Sequence, residues 1–549
     1  MSFSIKPCLL AITAVAGILS ACVNENKSLG ESLIPNSQKY TIYTASFPIE
    51  EMSQQMADSL SAYSMYRFTV GAVRDEAFGL STRSAAFTLV PVNDTLNFGT
   101  NTKFRQFHFS AVKDTLSYAD EAQRYILQNI NVYELDKAID YKKLYPEISY
   151  TKKRITDGIP VYNGNDSLSF NFSKEFGEKF LTIKQEDLDT MPNYTKRFPG
   201  IVLTVDEPAG NGGRINMFRL PIDVQNGYIY GSCAELKITA DYGDRKQVDT
   251  SFTFYFGPVQ MYDLGGVTTT SVTSQTQIAF DMTTHESKGK AGKVDKVAYL
   301  EGGRGLKPVI SAEGLRNLAI DEIAKHTDNP TSAVICKATL VLPFEFPENY
   351  KEIYKYPTMI SPTCLIVTDT TMTFAGITDS SASDEDQGNI NRSTCRYTPD
   401  ISHHIQELIK ITDEKKIHDY DVWLLAMATE IVSNAQASTS SEMDDYYQNL
   451  MYANYYNSMY GGYGYGGYGY GGYGYNSYYN SYYNSYYNNN YYNYMMLQSM
   501  YSQSSSGSTT KSATMMDFHR YYKAIFHGPG AEKDVPMFKF TYAIPKTVE

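Results

Sequence analysis

Apolar and polar residues alternate along most of this chain with a period of two. YRFTVGAV (66–73), AAFTLVP (85–91), QFHFSAV (106–112), LSFNF (168–172), GIVLTVD (200–206), RINMFRLPI (214–222), AELKITADY (234–242) and TSFTFYFG (250–257) each read as strands. Successive side chains of a strand point to opposite faces, so such alternation marks a half-buried strand. Turn-forming stretches such as EPAGNGGR (207–214) separate them. One short helix is expected from Glu175 to Ile183. The polar stretch THESKGKAGK (284–293) reads as a domain boundary.

Alternation resumes in KVAYLEGGRGLKPVIS (296–311), AVICKATLVLPF (333–344), CLIVTDT (364–370), VWLLAMAT (422–429), FHRYYKAIFHG (518–528) and MFKFTYAIP (537–545). A helix should follow Ser311, a good N-cap, with Leu315, Leu318 and Ile323 on one face. Ile401 to Ile411 is a second helix candidate. The expected fold is mainly β: two β-sandwich or jelly-roll-like domains, residues 40–283 and 294–549, with a few short helices.

The second domain is interrupted. Residues 435–513 form a low-complexity insertion rich in Tyr, Gly and Asn, including three copies each of GGYGY and NSYY from Gly461 to Tyr487. Between Asp444 and Gln503 lie 22 of the chain's 48 tyrosines. With so few aliphatic residues the segment cannot offset an ordering entropy of ~1–2 kcal/mol per residue, so it is expected to be disordered. Such polar–aromatic composition is prone to association. The tract reads either as an adhesive element acting between molecules or as a tolerated repeat expansion in a surface loop.

The N-terminus changes the picture more than the composition does. Lys6 precedes an apolar run from Leu9 to Leu19, too short for a membrane-spanning helix of ~20 residues but suited to a signal peptide (1–21). Leu19-Ser20-Ala21-Cys22 resembles the lipobox of bacterial lipoproteins, in which the cysteine is acylated and becomes the new N-terminus. Two or more acyl chains on Cys22 would give stable anchoring. Residues 22–39 then read as a flexible tether. By the same resemblance, Val23 after the cysteine favours the outer membrane. A surface location is the preferred expectation over a periplasmic one, although Glu25 is the only nearby acidic residue.

A net charge of −12 argues against nucleic acid as a partner. Outside the signal and Cys22 the cysteines are Cys233, Cys336, Cys364 and Cys395, too few for a disulfide scaffold. Cys336 and Cys364 read as buried thiols, and a Cys364–Cys395 bridge suits an oxidising compartment. The sequence carries no metalloprotease helix pattern, GxSxG elbow, Walker lysine loop or GxGxxG after a strand. The adjacent His403 and His404 sit ~100° apart on a helix and cannot share a metal on one face. GGRGL (302–306) lacks the Lys-Ser/Thr of a phosphate loop and reads as a tight turn. DEDQGN (384–389) resembles a calcium loop without its distal bidentate Glu, so a solvated loop is expected. A hidden carboxylate pair for glycoside hydrolysis would leave no signature in one sequence. No cofactor, metal or enzymatic activity is expected.

Several passages, in order, resemble one family of Bacteroidetes outer-membrane lipoproteins, domain-of-unknown-function family 4270. They are SLGESLIP (28–35), VGAVRDEAFGLSTRSAAFTLVP (70–91), RFPGIVLTVDEPAGNGGRINMFRL (197–220), YLEGGRGLKPVIS (299–311) and CKATLVLPF (336–344), where Cys336 stands in place of the usual Asn. The resemblance implies compartment and architecture, not a reaction. It also implies candidate O-glycosylation at Asp-Ser/Thr motifs, on Ser59, Thr95, Thr115, Ser167, Thr190 and Thr370. The expected function is that of a non-catalytic interaction or scaffold subunit, held to the membrane by lipid and working beside other outer-membrane proteins or an assembly machine. A glycan-binding or adhesive surface lipoprotein is the alternative, since β-sandwich domains often present aromatics to sugars. The lone tryptophan, Trp423, lies inside a strand.

Overall fold

A computed structural model describes residues 39–545 except 61, 65–66, 94, 141–144, 221, 226–227, 257–277, 368–371, 379–381, 384–385 and 433–510. The fold is mainly β, and every strand pairing among the described residues is antiparallel. The expected signal peptide, Cys22 and the low-complexity repeats lie outside the described residues. Residues 511–513, expected within the insertion, instead begin the strand Lys511–Met516, which pairs with Val422–Val432.

The first half is a sandwich. One sheet contains Arg67–Asp75, Gly79–Phe87, Gly212–Arg219, Ile201–Val205, Gln128–Leu135 and Ala279–His285. The facing sheet runs Ser167–Asn171, Thr100–Val112, Cys233–Tyr242, Arg245–Phe256 and Leu89–Pro91. Alternation sends Phe68, Phe87, Phe107, Phe109, Phe254 and Phe256 into the space between. Phe256 stacks on Phe109 at 4.7 Å and on Phe87 at 4.8 Å between ring centroids. Such pairs add to the burial of the rings themselves. The expected helix forms over Lys174–Phe180, capped by Ser173, whose hydroxyl accepts the Phe176 N–H. It lays Phe176 and Phe180 against Phe107. A second helix, Met191–Arg197, was not expected. Its cap is Thr190, whose hydroxyl accepts the Asn193 N–H, and Pro192 sits in its first turn.

The second half is built the same way. A five-stranded sheet contains Tyr40–Pro48, Met537–Pro545 and Val334–Pro343. A seven-stranded sheet contains Met52–Met56, Leu306–Ile310, Val422–Val432 and Met359–Val367. Their core includes Ile310, Leu340, Val422, Leu424, Phe538 and Phe540. Ser311 caps the helix Ala312–Ile323 as expected, accepting from the Gly314 N–H. The shorter helix Ser402–Leu408 buries Ile405 and Leu408.

Four expectations need correction. The first domain was expected to begin at residue 40, yet Tyr40–Pro48 pairs with Met537–Pro545, and Met52–Met56 with Leu306–Ile310. The chain's opening strands complete the second half because their apolar faces find its sheets unfinished. The segment 284–293 is not a bare linker: Glu286–Lys290 forms a 3-10 turn, and Gly292 and Lys293 pair with Gln54 and Ser53. Cys336 is exposed, because it alternates with buried Ile335 and so falls on the outward face of Val334–Pro343, at the point where the register with Met537–Pro545 slips between Ile335 and Lys337. Cys364 is buried as expected, but it faces the Tyr420 carbonyl and His404 rather than Cys395, and both thiols are free.

Candidate functional site

Where the two halves meet, three strand segments present polar residues at every second position. Gly79–Phe87 contributes Ser81 and Arg83. Ala279–His285 contributes Asp281, Thr283 and His285. The stretch entering the strand Lys523–His527 contributes Asp517, His519, Tyr521 and Lys523. All are buried or nearly so, with Thr283 half-buried. The ladder fixes their places: Arg83 lies opposite Thr283, and Ser81 opposite His285.

Glu301 is the hub. Its side chain is fully buried, directly across the ladder from Lys523. The Lys523 ammonium contacts one carboxylate oxygen and also donates to the Ser81 hydroxyl at 2.9 Å. His285 Nδ1 is 3.3 Å from the same oxygen, and the Ser287 hydroxyl donates to the other. Burial by itself would raise the Glu301 carboxyl. The hydrogen bond from His285 and the Lys523 ammonium outweigh it and hold Glu301 well below the usual carboxylate range. Burial lowers Lys523, with Glu301 opposing. Burial also lowers His285 to about 4, so its ring is neutral at neutral pH.

The GGRGL turn has an unexpected role. Lys307 is buried beside it and donates to the carbonyls of Glu301, Gly303 and Gly305 at 2.5, 2.8 and 3.0 Å. The turn therefore wraps an ammonium, which burial lowers to about 7. Gly303 adopts φ +56°, and a Cβ there would meet Arg83 Nη1 and the Phe518 carbonyl, both at 3.0 Å. That position is restricted to glycine by conformation and by space together.

Lys523 connects this buried network to an open cleft of about 590 Å³ between the halves. Its ammonium lies under the rings of Phe78 (4.5 Å) and Tyr521 (5.2 Å). One wall carries Asp75, Glu76 and Asp120; the other carries Glu352, Lys355 and Tyr356. Lys355 pairs with Glu352 and reaches Asp75 at 3.8 Å, tying the walls together. At the rim Lys351 pairs with Glu121, at 2.6 Å. Exposed aromatic side chains lie close in sequence to both members of that ion pair: Tyr350 and Tyr354 near Lys351 are 63% and 70% exposed, and Tyr125, four residues after Glu121, is 75% exposed. Singly exposed apolar residues are ordinary, and their recurrence next to both partners of one ion pair makes this stretch a candidate recognition surface.

The residues singled out in the sequence fall elsewhere. Thr95, Thr115, Ser167 and Thr190 are exposed and Ser59 half-exposed. Thr115 and Ser167 lie at the same end of the neighbouring strands Thr100–Val112 and Ser167–Asn171, and the others on separate loops. Cys22 and Thr370 lie outside the described residues. His404 is buried, its Nε2 3.0 Å from the Tyr420 carbonyl, and burial lowers it to about 4. In DEDQGN, Asp384 and Glu385 lie outside the described residues, and Asp386 pairs with Lys337 at 2.8 Å. Among the described residues no group of three or more His, Cys, Asp or Glu is arranged to hold a metal, and no helix is long and apolar enough to cross a membrane. The junction was missed, although its signal was present as i, i+2 polar residues in three separate segments. No family model, curated protein or solved structure matches this chain.

Proposed function

We propose that this chain is a non-catalytic interaction protein of the bacterial outer membrane. It is anchored through acylated Cys22, belongs with the domain-of-unknown-function lipoproteins it resembles, and receives a protein partner at the cleft between its halves. The observation that carries this reading is the exposure of the Tyr125, Tyr350 and Tyr354 rings, close in sequence to the two members of the Glu121–Lys351 pair. Aromatic side chains supply large contact area at low entropic cost, and the cleft's carboxylates and ammonium groups supply the polar complement.

The test is affinity capture from detergent-solubilised membranes with the wild-type chain and a Tyr350→Ala/Tyr354→Ala variant. Wild type should retain a partner that the variant releases. Recovery of the wild-type protein alone would argue against the reading. The same exposed rings beside carboxylates also suit a sugar, whose faces stack on aromatics while its hydroxyls donate to acidic groups. Binding on a glycan array, lost in the same variant, would move the assignment to a glycan-binding surface lipoprotein.

A further inference from the structure

A sheet edge is a row of unpaired backbone N–H and C=O groups, and folded proteins ordinarily blunt it with charge, proline, a bulge or brevity. Among the described residues, Tyr150–Arg154 ends its sheet with Lys152, Lys153 and Arg154. Leu89–Pro91, Tyr118–Ala119, Gly292–Lys293 and Ile390–Asn391 end theirs with two or three residues each. Ser167–Asn171 and Met372–Gly376 have five residues. Tyr40–Pro48 is the exception. It ends its sheet with nine residues, none of them charged, and holds an unbroken register against Met537–Pro545.

One hydrogen bond fixes which of its backbone groups are free. The Ile49 N–H donates to the Pro536 carbonyl at 2.8 Å, so residue 49 points its backbone toward the Met537–Pro545 side. Residues of an antiparallel strand alternate between bonding one neighbour and the other. Tyr43, Ala45 and Phe47 therefore bond Met537–Pro545, while Tyr40, Ile42, Thr44 and Ser46 turn their N–H and C=O groups to the open edge. No other strand among the described residues pairs there. The side chains of these outward residues stand on the solvent face: Ile42 is 66% exposed, and Thr44 and Ser46 are exposed. The opposite face is covered, with Tyr43 stacked on His326 at 3.9 Å between ring centroids.

We propose that Tyr40–Pro48 pairs antiparallel with the same strand of a second copy of this chain, about a two-fold axis at Tyr43. That register sets Ile42 opposite Thr44 of the second copy and Tyr40 opposite its Ser46, and each such pair exchanges two N–H···O bonds. Pro48, which has no N–H to give, falls outside the ladder. A two-fold pairing sets a strand against itself, so a charge on it would meet its like; this strand has none. One strand pair buries less than the ~1,600 Å² of a standard interface, so the dimer is reversible. The tether of residues 22–39 enters at Tyr40 and has a reach of ~20–25 Å. Copies anchored at Cys22 would therefore hold this strand at one height above the membrane, where confinement raises its effective concentration. Only that last gain rests on the proposed anchor; the pairing uses no residue of the cleft.

The experiment is sedimentation velocity of the full mature chain in detergent over a micromolar to millimolar series, with residue-resolved amide exchange at both ends of it. A reversible monomer–dimer equilibrium is expected. The Ile42, Thr44 and Ser46 amides should gain protection as the dimer forms, and those of Tyr43, Ala45 and Phe47 should be protected throughout. Thr44→Lys, at an exposed position, should fold and weaken association about tenfold, because the two lysines meet diagonally across the ladder. Ser169→Lys, the same change of charge on another exposed strand position, should leave association unchanged, as should Tyr350→Ala/Tyr354→Ala at the cleft. A chain that stays monomeric through the series would overturn the proposal. So would protection of Ile42 and Thr44 in the monomer, which would mean that the chain covers its own edge. A dimer whose Ile42 and Thr44 amides exchange freely would place the interface elsewhere and overturn it too.

Discussion

Replacing Glu301 with Gln keeps the shape of the hub and removes its charge. Glu301 and Lys523 have side-chain exposures of 0% and 4%, so solvent screens their interaction little. An ion pair at ~4 Å with an effective dielectric of ~20 is worth about 4 kcal/mol. Removing one member of a buried pair typically costs about 3–5 kcal/mol, because the other charge stays buried without compensation. Glu301→Gln should therefore lose about 3–5 kcal/mol in urea unfolding. Trp423, the single tryptophan, is a convenient fluorescence probe. Its strand pairs with Leu306–Ile310, in which Val309 lies opposite Trp423. Adding Lys523→Met to Glu301→Gln removes both charges and should recover most of the loss. Glu301 is held below its unfolded value, so its contribution is complete above about pH 4.3 and disappears as pH falls through the folded value. The variant should lose that part of the acid-side slope. A cost below about 1 kcal/mol, or a double variant losing the sum of the two single ones, would refute the hub as an energetically coupled pair.

Lys307 has the opposite pH signature. Its folded value of about 7 lies below the unfolded ~10.4, so the unfolded chain binds more protons between these values and stability should rise with pH there. Lys307→Met should flatten that rise in unfolding free energies measured from pH 7 to 9. His285 and His404, both lowered to about 4, should make stability fall as pH drops from about 6.5 toward 4, and His404→Gln should reduce that slope. Tyr194 is fully buried and donates to the Leu89 carbonyl at 2.7 Å, so Tyr194→Phe should cost about 1–2 kcal/mol by urea unfolding. A maleimide should label exposed Cys336 in the native protein, and Cys364 only after denaturation, as read by peptide mass mapping. Native labelling of Cys364 would contradict its place in the core.

Most of the architecture follows from local rules that one sequence carries. Phe107 and Phe109 alternate with polar neighbours, so a sandwich strand is legible, and Ser311 before an amphipathic run announces a helix with its cap. The helix at Met191–Arg197 was not read, because its cap signal, Thr190 before Met-Pro, is followed by too short an apolar period to stand out. What the chain could not declare is which period-two polar faces meet water and which meet each other. Ser81 and Arg83 alternate as the residues of a solvated strand would; so do Asp281, Thr283 and His285. Only long-range packing covers them with Asp517, His519, Tyr521 and Lys523, more than two hundred residues away in the chain. The same holds for Tyr40–Pro48, whose partner strand lies at the other end of the sequence. Alternation specifies that a strand has two faces. Burial, and with it the shifted protonation of Glu301, His285 and Lys307, is a property of what the tertiary fold sets against them.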